Sequence, residues 1–209
     1  MYLPQPDFQP DLSAMHRIIR DHPFGARIRS STHGLTIEHL PFLFETTGTG
    51  DAVLLTHVAR ANKVWQEVEE GGDTLIAFTG AQGYISPSWY PGKHQTHRRV
   101  PTWNYEVVHV HGQIFVSDDE RSARRVIALL TREHEAKLEK PWRMGDAPRD
   151  FLDALVQQIV AIEVRVTRME GKRKLNQHHQ LADREGAILG LRESGNHALA
   201  DAMEATISR

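Results

Sequence analysis

Apolar and polar positions follow two rhythms along this chain, and the period changes near residue 119. Asp11 to Arg20 sets Leu12, Met15, Ile18 and Ile19 on one face, with Pro23 just beyond, which predicts a short helix. The period then falls to two. Gly25 to Ser31 reads as a strand that turns at His33-Gly34 into a second, Leu35 to Phe44. Pro41 inside that second strand implies an edge or a bulge, because proline cannot donate to a ladder. Thr46 to Asp51 reads as a turn, Ala52 to Val58 as a strand, and Asn62 to Glu70 as a short helix stopped by Gly71-Gly72. Thr74 to Thr79 is a short apolar strand, separated by Gly80-Ala81-Gln82-Gly83 from Tyr84 to Ser86. Trp103 to Val116 is a long one. Strands joined by hairpin signals predict a mostly antiparallel barrel rather than alternating β and α.

From residue 119 the helical period takes over. Glu120 to Glu139 repeats Ala123, Val126, Ile127 and Leu130 against a charged face, and Pro141 ends it. Pro148 to Gln158 reads as a helix and Ile159 to Thr167 as an alternating strand. Arg184 to Glu193 and His197 to Ile207 read as helices, with Asp183 and Asn196 as N-caps and Gly195 as the stop between them. No repeat or linker divides the chain. The expectation is one α+β domain over 1–209, with 172–209 as a helical tail.

Composition narrows the partners. The 209 residues are 40% hydrophobic, enough for an ordinary core, and 25 basic against 27 acidic residues leave a formal charge of −2. No global field favours nucleic acid or anionic membrane. The absence of cysteine excludes disulfides, thiolate zinc sites and thiol nucleophiles. Met1 to Pro6 has no basic and apolar leader, and the apolar run Leu155 to Val166 is interrupted by Gln157, Gln158, Glu163 and Arg165. A soluble cytoplasmic protein without a membrane partner is expected.

The chemistry concentrates between Gly83 and Gly112, where two of four tryptophans and three of four tyrosines lie among Ser, Thr, Asn and His. That mixture suits a planar ring needing apolar walls and a few oriented hydrogen bonds, and flavin is the first candidate. Ser86, Ser88, Thr102 and Asn104 would meet its polar edge. Tyr84, Trp89, Trp103 and Tyr105 would wall its faces or cover a subunit seam. The alternative is plain barrel core, since aromatic strands pack well anywhere. Thr56-His57-Val58-Ala59-Arg60-Ala61-Asn62, at a strand-to-helix junction, is what a phosphate would seek: helix N–H groups, the Arg60 guanidinium, and short donors from Thr56 and His57. The plainer reading there is an N-capped helix with a solvated arginine.

Other chemistries find less support. His109 and His111 face the same way on a strand, and His94 and His97 sit in the preceding insert, but no carboxylate spacing completes a metal motif. No nucleophile elbow, dinucleotide fingerprint or Walker loop is present. The basic clusters Lys93-His94 with His97-Arg98-Arg99, and Lys172-Arg173-Lys174, read as solvated faces, without a helix-turn-helix or zinc finger to use them.

Taken in order, the blocks Met1-Tyr2-Leu3-Pro4, His22-Pro23-Phe24-Gly25, Glu38-His39-Leu40-Pro41-Phe42, His57 to Asn62, Tyr84 to Tyr90 and Val100 to Tyr105 resemble the PaiB-like family, the FMN-binding negative transcriptional regulators of bacteria. Leu130-Thr131, Pro141-Trp142, Asp146-Ala147-Pro148, Gly171-Lys172 and Lys174-Leu175 extend the resemblance over nearly the whole chain. Asn176-Gln177-His178 stands where Ser-Gln-Asn is expected, and Lys63 where the family tends to proline.

The resemblance implies a split β-barrel like that of pyridoxamine-phosphate oxidase, with peripheral and C-terminal helices, in a homodimer holding FMN at the subunit interface. By that analogy His57 to Asn62 hold the phosphate, the His39–Leu40–Pro41 strand offers backbone groups to the ring, and the aromatic blocks close the site from either subunit. The implied function is negative regulation of transcription, directly on DNA or through a protein partner. A flavin-dependent oxidoreductase of the same fold is the alternative, and a haem-binding or haem-degrading barrel the second alternative.

Overall fold

A computed structural model of the chain describes residues 1–31, 34–48, 50–93 and 97–207. His33, expected in a turn, and His94, weighed as a metal ligand, lie outside the described residues. In chain order the elements are α1 (Leu12–Asp21), β1 (Phe24–Ser31), β2 (Gly34–Pro41), β3 (Leu43–Thr46), β4 (Ala52–Ala59), β5 (Asp73–Ile85), β6 (Thr102–Ser117), α2 (Glu120–Glu135), α3 (Arg149–Val156), β7 (Ile159–Lys174), α4 (Leu181–Glu193) and α5 (His197–Glu204). The strands form one sheet in the order β2-β1-β5-β6-β7-β4-β3, with β2 and β3 at its edges. This is the expected α+β, split-barrel type of fold, with the sheet left open.

The expected elements are present, with informative differences at their ends. Pro41 does sit at an edge: it closes β2, and the next amide, Phe42 N, donates to Pro23 O at 2.8 Å before β3 begins. The expected Asn62 to Glu70 helix is instead a five-residue 3-10 turn, Lys63–Glu67, which Asn62 caps through Val64 N. The Gly80 to Gly83 break is absent, and β5 runs through it. Here glycine serves close approach rather than turning: a Cβ at Gly83 would lie 2.5 Å from Asn196 Nδ2 and 3.1 Å from Leu199 Cδ2. β7 runs on to Lys174, so the first residues of the expected helical tail are strand. Asp183 is not an N-cap; Gln180 takes that position without a side-chain cap bond. Asn196 does cap α5, accepting from Leu199 N, and Gly195 stops α4 at a φ of +83°.

The chain packs as two compact units. One comprises Met1–His22, Thr79–Val108 and Glu170–Arg209. Its core gathers Ile85, Tyr90, Leu175, Leu191, Leu199 and Met203, all under 2% exposed. The other comprises Pro23–Phe78 and His109–Met169. There Val126 and Leu130 of α2 pack on Leu43, Leu55 and Ala161, and Phe42 meets Phe78 edge-on at 5.7 Å. Among the described residues no helix is long and apolar enough to cross a membrane.

The β1–β2 hairpin has inverted polarity. Its register pairs Phe24 with Pro41, Ala26 with His39, Ile28 with Ile37 and Ser30 with Leu35, which sets these residues on one face. That face is outward: Phe24 is 63%, Leu35 78% and Ile37 59% exposed. The opposite face turns inward and carries charge. Arg27, 3% exposed, donates to Glu38 Oε2 at 2.9 Å and to Thr74 Oγ1 at 3.2 Å, and Arg29 donates to the other Glu38 oxygen.

Candidate functional site

In the second unit, the end of β4 supplies the segment expected to hold a phosphate. Thr56 is fully buried and its Oγ1 has no hydrogen-bond partner; half-buried His57 likewise leaves Nδ1 unpartnered. Burial holds the His57 imidazole below its ordinary pKa, disfavouring its charged form. Arg60 is committed to protein. It pairs with Asp118 Oδ1 at 2.5 Å, donates to Gln157 O at 2.7 Å and Ile159 O at 3.3 Å, and has its own carbonyl taken by Trp65 Nε1. The 3-10 turn after Asn62 is too short to align a useful dipole, so an anion here would rely on side chains. His39 on β2 is exposed and stacks on Phe24 at 5.9 Å, while Leu40 is half-buried opposite Gly25.

In the first unit the aromatic blocks divide. Tyr84 and Trp103 are about half exposed, 49% and 50%, with Trp103 Nε1 donating to Gln82 Oε1. Trp89 is packed into the core against α4, where a Cβ at Gly190 would lie 2.4 Å from its ring. Ser86 caps a short turn through Ser88 N, and Ser88 Oγ accepts from Lys93. Thr102 Oγ1 accepts from Lys174 Nζ. Asn104 is fully buried; its Nδ2 lies 3.4 Å from Met203 Sδ and its Oδ1 is unpartnered. Buried polar atoms rarely stay unpaired. Within their own units, the loose ends at Thr56 and His57 and the one at Asn104 are each compatible with a polar ligand group, which is the respect in which these residues fit a flavin.

The same unit holds a cleft of about 410 Å³ that the sequence reading did not single out. Tyr90, the Arg98 to Thr102 segment and Lys174 to Gln180 line it. Asn176, fully buried with a left-handed φ of 62°, donates through Nδ2 to Tyr90 Oη at 2.8 Å and leaves Oδ1 unpartnered. The His179 ring stacks on Tyr90 at 5.2 Å. Burial, with Lys174 nearby for His178 and with His178 and Arg99 nearby for His179, keeps both imidazoles below their ordinary pKa. Behind the cleft Asp183, 1% exposed, accepts from Gly92 N at 2.8 Å and from Arg99 Nε and Nη2 at 2.8 and 2.6 Å. The basic residues Arg98-Arg99 and Lys174 were the available signal, and they read as solvated because their partners are distant in sequence. The other expected metal candidates, His109 and His111, lie on β6, with His111 Nε2 3.0 Å from Arg168 Nη2.

Residues 1–168 match the family described as "Putative FMN-binding domain". An uncharacterised protein of Emericella nidulans is 29% identical over 95% of this chain and 93% of its own. The protease synthase and sporulation protein PAI 2 of Bacillus subtilis is 25% identical over 94% and 91%. Among solved structures, the FAD and haem binding protein of Mycobacterium smegmatis is similar in fold, with a TM-score of 0.52 and 12% identity over 79% of this chain and 73% of that one. The chain belongs to the PaiB-like, FMN-binding family of split-barrel proteins, and FMN is its cofactor.

Proposed function

We propose that the chain is a homodimeric FMN-binding protein that negatively regulates transcription, on DNA or through a protein partner. The family match over residues 1–168 carries the reading, and the Bacillus subtilis relative, named for protease synthesis and sporulation, supports its regulatory side. The phosphate end is assigned to Thr56, His57, Arg60 and Asn62, with Arg60 exchanging Asp118 for the ligand. The apolar outer face of the β1–β2 hairpin supports a second copy as partner: Phe24, Leu35 and Ile37 lie in water while Arg27 and Glu38 are turned in, the reverse of what a solvated hairpin needs. Bound FMN would supply hydride or single-electron transfer.

The test is an absorbance spectrum of the isolated protein and an FMN titration, followed by promoter binding over a salt series. Flavin bands with salt-sensitive retardation of one promoter fragment over random DNA bear out direct regulation. A colourless protein that takes up no FMN defeats the flavin reading. The open polar cleft in the first unit, with room for a second molecule, favours a second reading as a flavin-dependent oxidoreductase, which NAD(P)H consumption by the FMN-loaded protein would select.

A further inference from the structure

We infer that the cleft between Tyr90, the Arg98–Thr102 segment and the Lys174–Gln180 segment binds a phosphate monoester. Its lining includes Arg99, Lys174, His178 and His179 and, among the described residues, no carboxylate. The Asp183 carboxylate is consumed behind the wall by Arg99 and Gly92. Burial is the first cause that lowers the proton affinity of Lys174 and of both imidazoles, and Lys172 beside Lys174, Lys174 beside His178, and His178 and Arg99 beside His179 add to it. A dianion would reverse that balance.

Two further features face the same space. Gln180, on the lining, is the N-cap of the thirteen-residue helix α4 and makes no side-chain cap bond, while Asp183 in the first turn is turned to Gly92 and Arg99, so that helix end can offer N–H groups to an anion. Asn176 is fully buried, with Oδ1 unpartnered, while its Nδ2 occupies the Tyr90 oxygen as acceptor. The Tyr90 hydroxyl proton is thereby left to donate outward, and Asn176 Oδ1 is left to accept.

The ester is either the tail of FMN itself or a separate phosphorylated molecule, and the test distinguishes them. Full-length protein, with and without FMN, is titrated calorimetrically with phenyl phosphate and inorganic phosphate; riboflavin and FMN are titrated in parallel. The wild type should bind phenyl phosphate saturably, Lys174→Gln should weaken this about tenfold, as expected for losing one charged hydrogen bond, and Lys174→Arg should retain it. If Lys174→Gln weakens FMN but not riboflavin, the cleft holds the flavin's own tail. If FMN is unaffected while phenyl phosphate binding falls, the ligand is separate. Protein that takes up no FMN yet binds phenyl phosphate here sustains this inference while the flavin reading fails. Absence of saturable binding, or binding that a folded Lys174→Gln protein leaves unchanged, overturns it.

Discussion

Asp183 and Arg99, 84 positions apart, meet through two N–H donors on one carboxylate oxygen, and the other oxygen takes the Gly92 amide. Burial alone would raise the Asp183 pKa, but the Gly92 amide and the Arg99 guanidinium outweigh it and hold the carboxyl below the usual range. Asp183→Ala should therefore cost about 3 kcal/mol, because it strands a partly buried guanidinium and an amide together. Urea unfolding measures this, and Asp183→Asn should lose less.

Gly190→Ala should destabilise by about 1–3 kcal/mol through overpacking, since the new methyl would meet the Trp89 ring at 2.4 Å. Combining it with Trp89→Leu should recover part of the loss, giving a non-additive double-mutant cycle in thermal unfolding.

Acidification should weaken the fold. His16, His57, His178 and His179 are all held below the ordinary value of 6.5, first by burial. Between the folded and unfolded pKa values the unfolded chain binds more protons, so stability present above pH 6.5 is lost as pH falls through the folded values. The urea midpoint should drop on going below pH 6.5, and His57→Asn should flatten that dependence.

Arg60→Ala separates ligand binding from stability. Arg60 and Asp118 are 40% and 41% exposed, so the loss of their pair should cost no more than about 1 kcal/mol in unfolding. FMN retention should fall by about 1.5–3 kcal/mol if the guanidinium meets the phosphate. Unchanged retention in a flavin titration would remove Arg60 from the site.

Ile37→Lys should convert a dimer to monomer in sedimentation experiments while leaving circular dichroism intact, because Ile37 is 59% exposed and its loss empties no core. A dimer that persists would move the interface elsewhere.

How much of this was legible follows the range of the interactions. The helices α1, α2 and α5 and the strands β1, β4 and β6 were readable because periodicity and caps are local. The β5 break was misread because Gly80 and Gly83 accommodate partners far along the chain, Glu106 and Asn196 among them, which no local pattern reveals. Lys172-Arg173-Lys174 read as solvated for the same reason. Lys172 and Arg173 are each 8% exposed, Lys172 donating to Tyr2 O and Arg173 to Glu106 Oε1 at 2.6 Å. The flavin segments were found by composition and resemblance; the cationic cleft was not, because Tyr90 and Asn176 become neighbours only after folding.

The edge position of β2 has a cost for the isolated protomer. Among the described residues no strand lies on its outer side, and from Gly34 to Leu40 no proline or lysine interrupts the run. Left uncovered, that ribbon would be a template for strand addition by other chains. A second copy laid along that ribbon would shield it, so the proposed self-association would bear on solubility as well as on ligand binding.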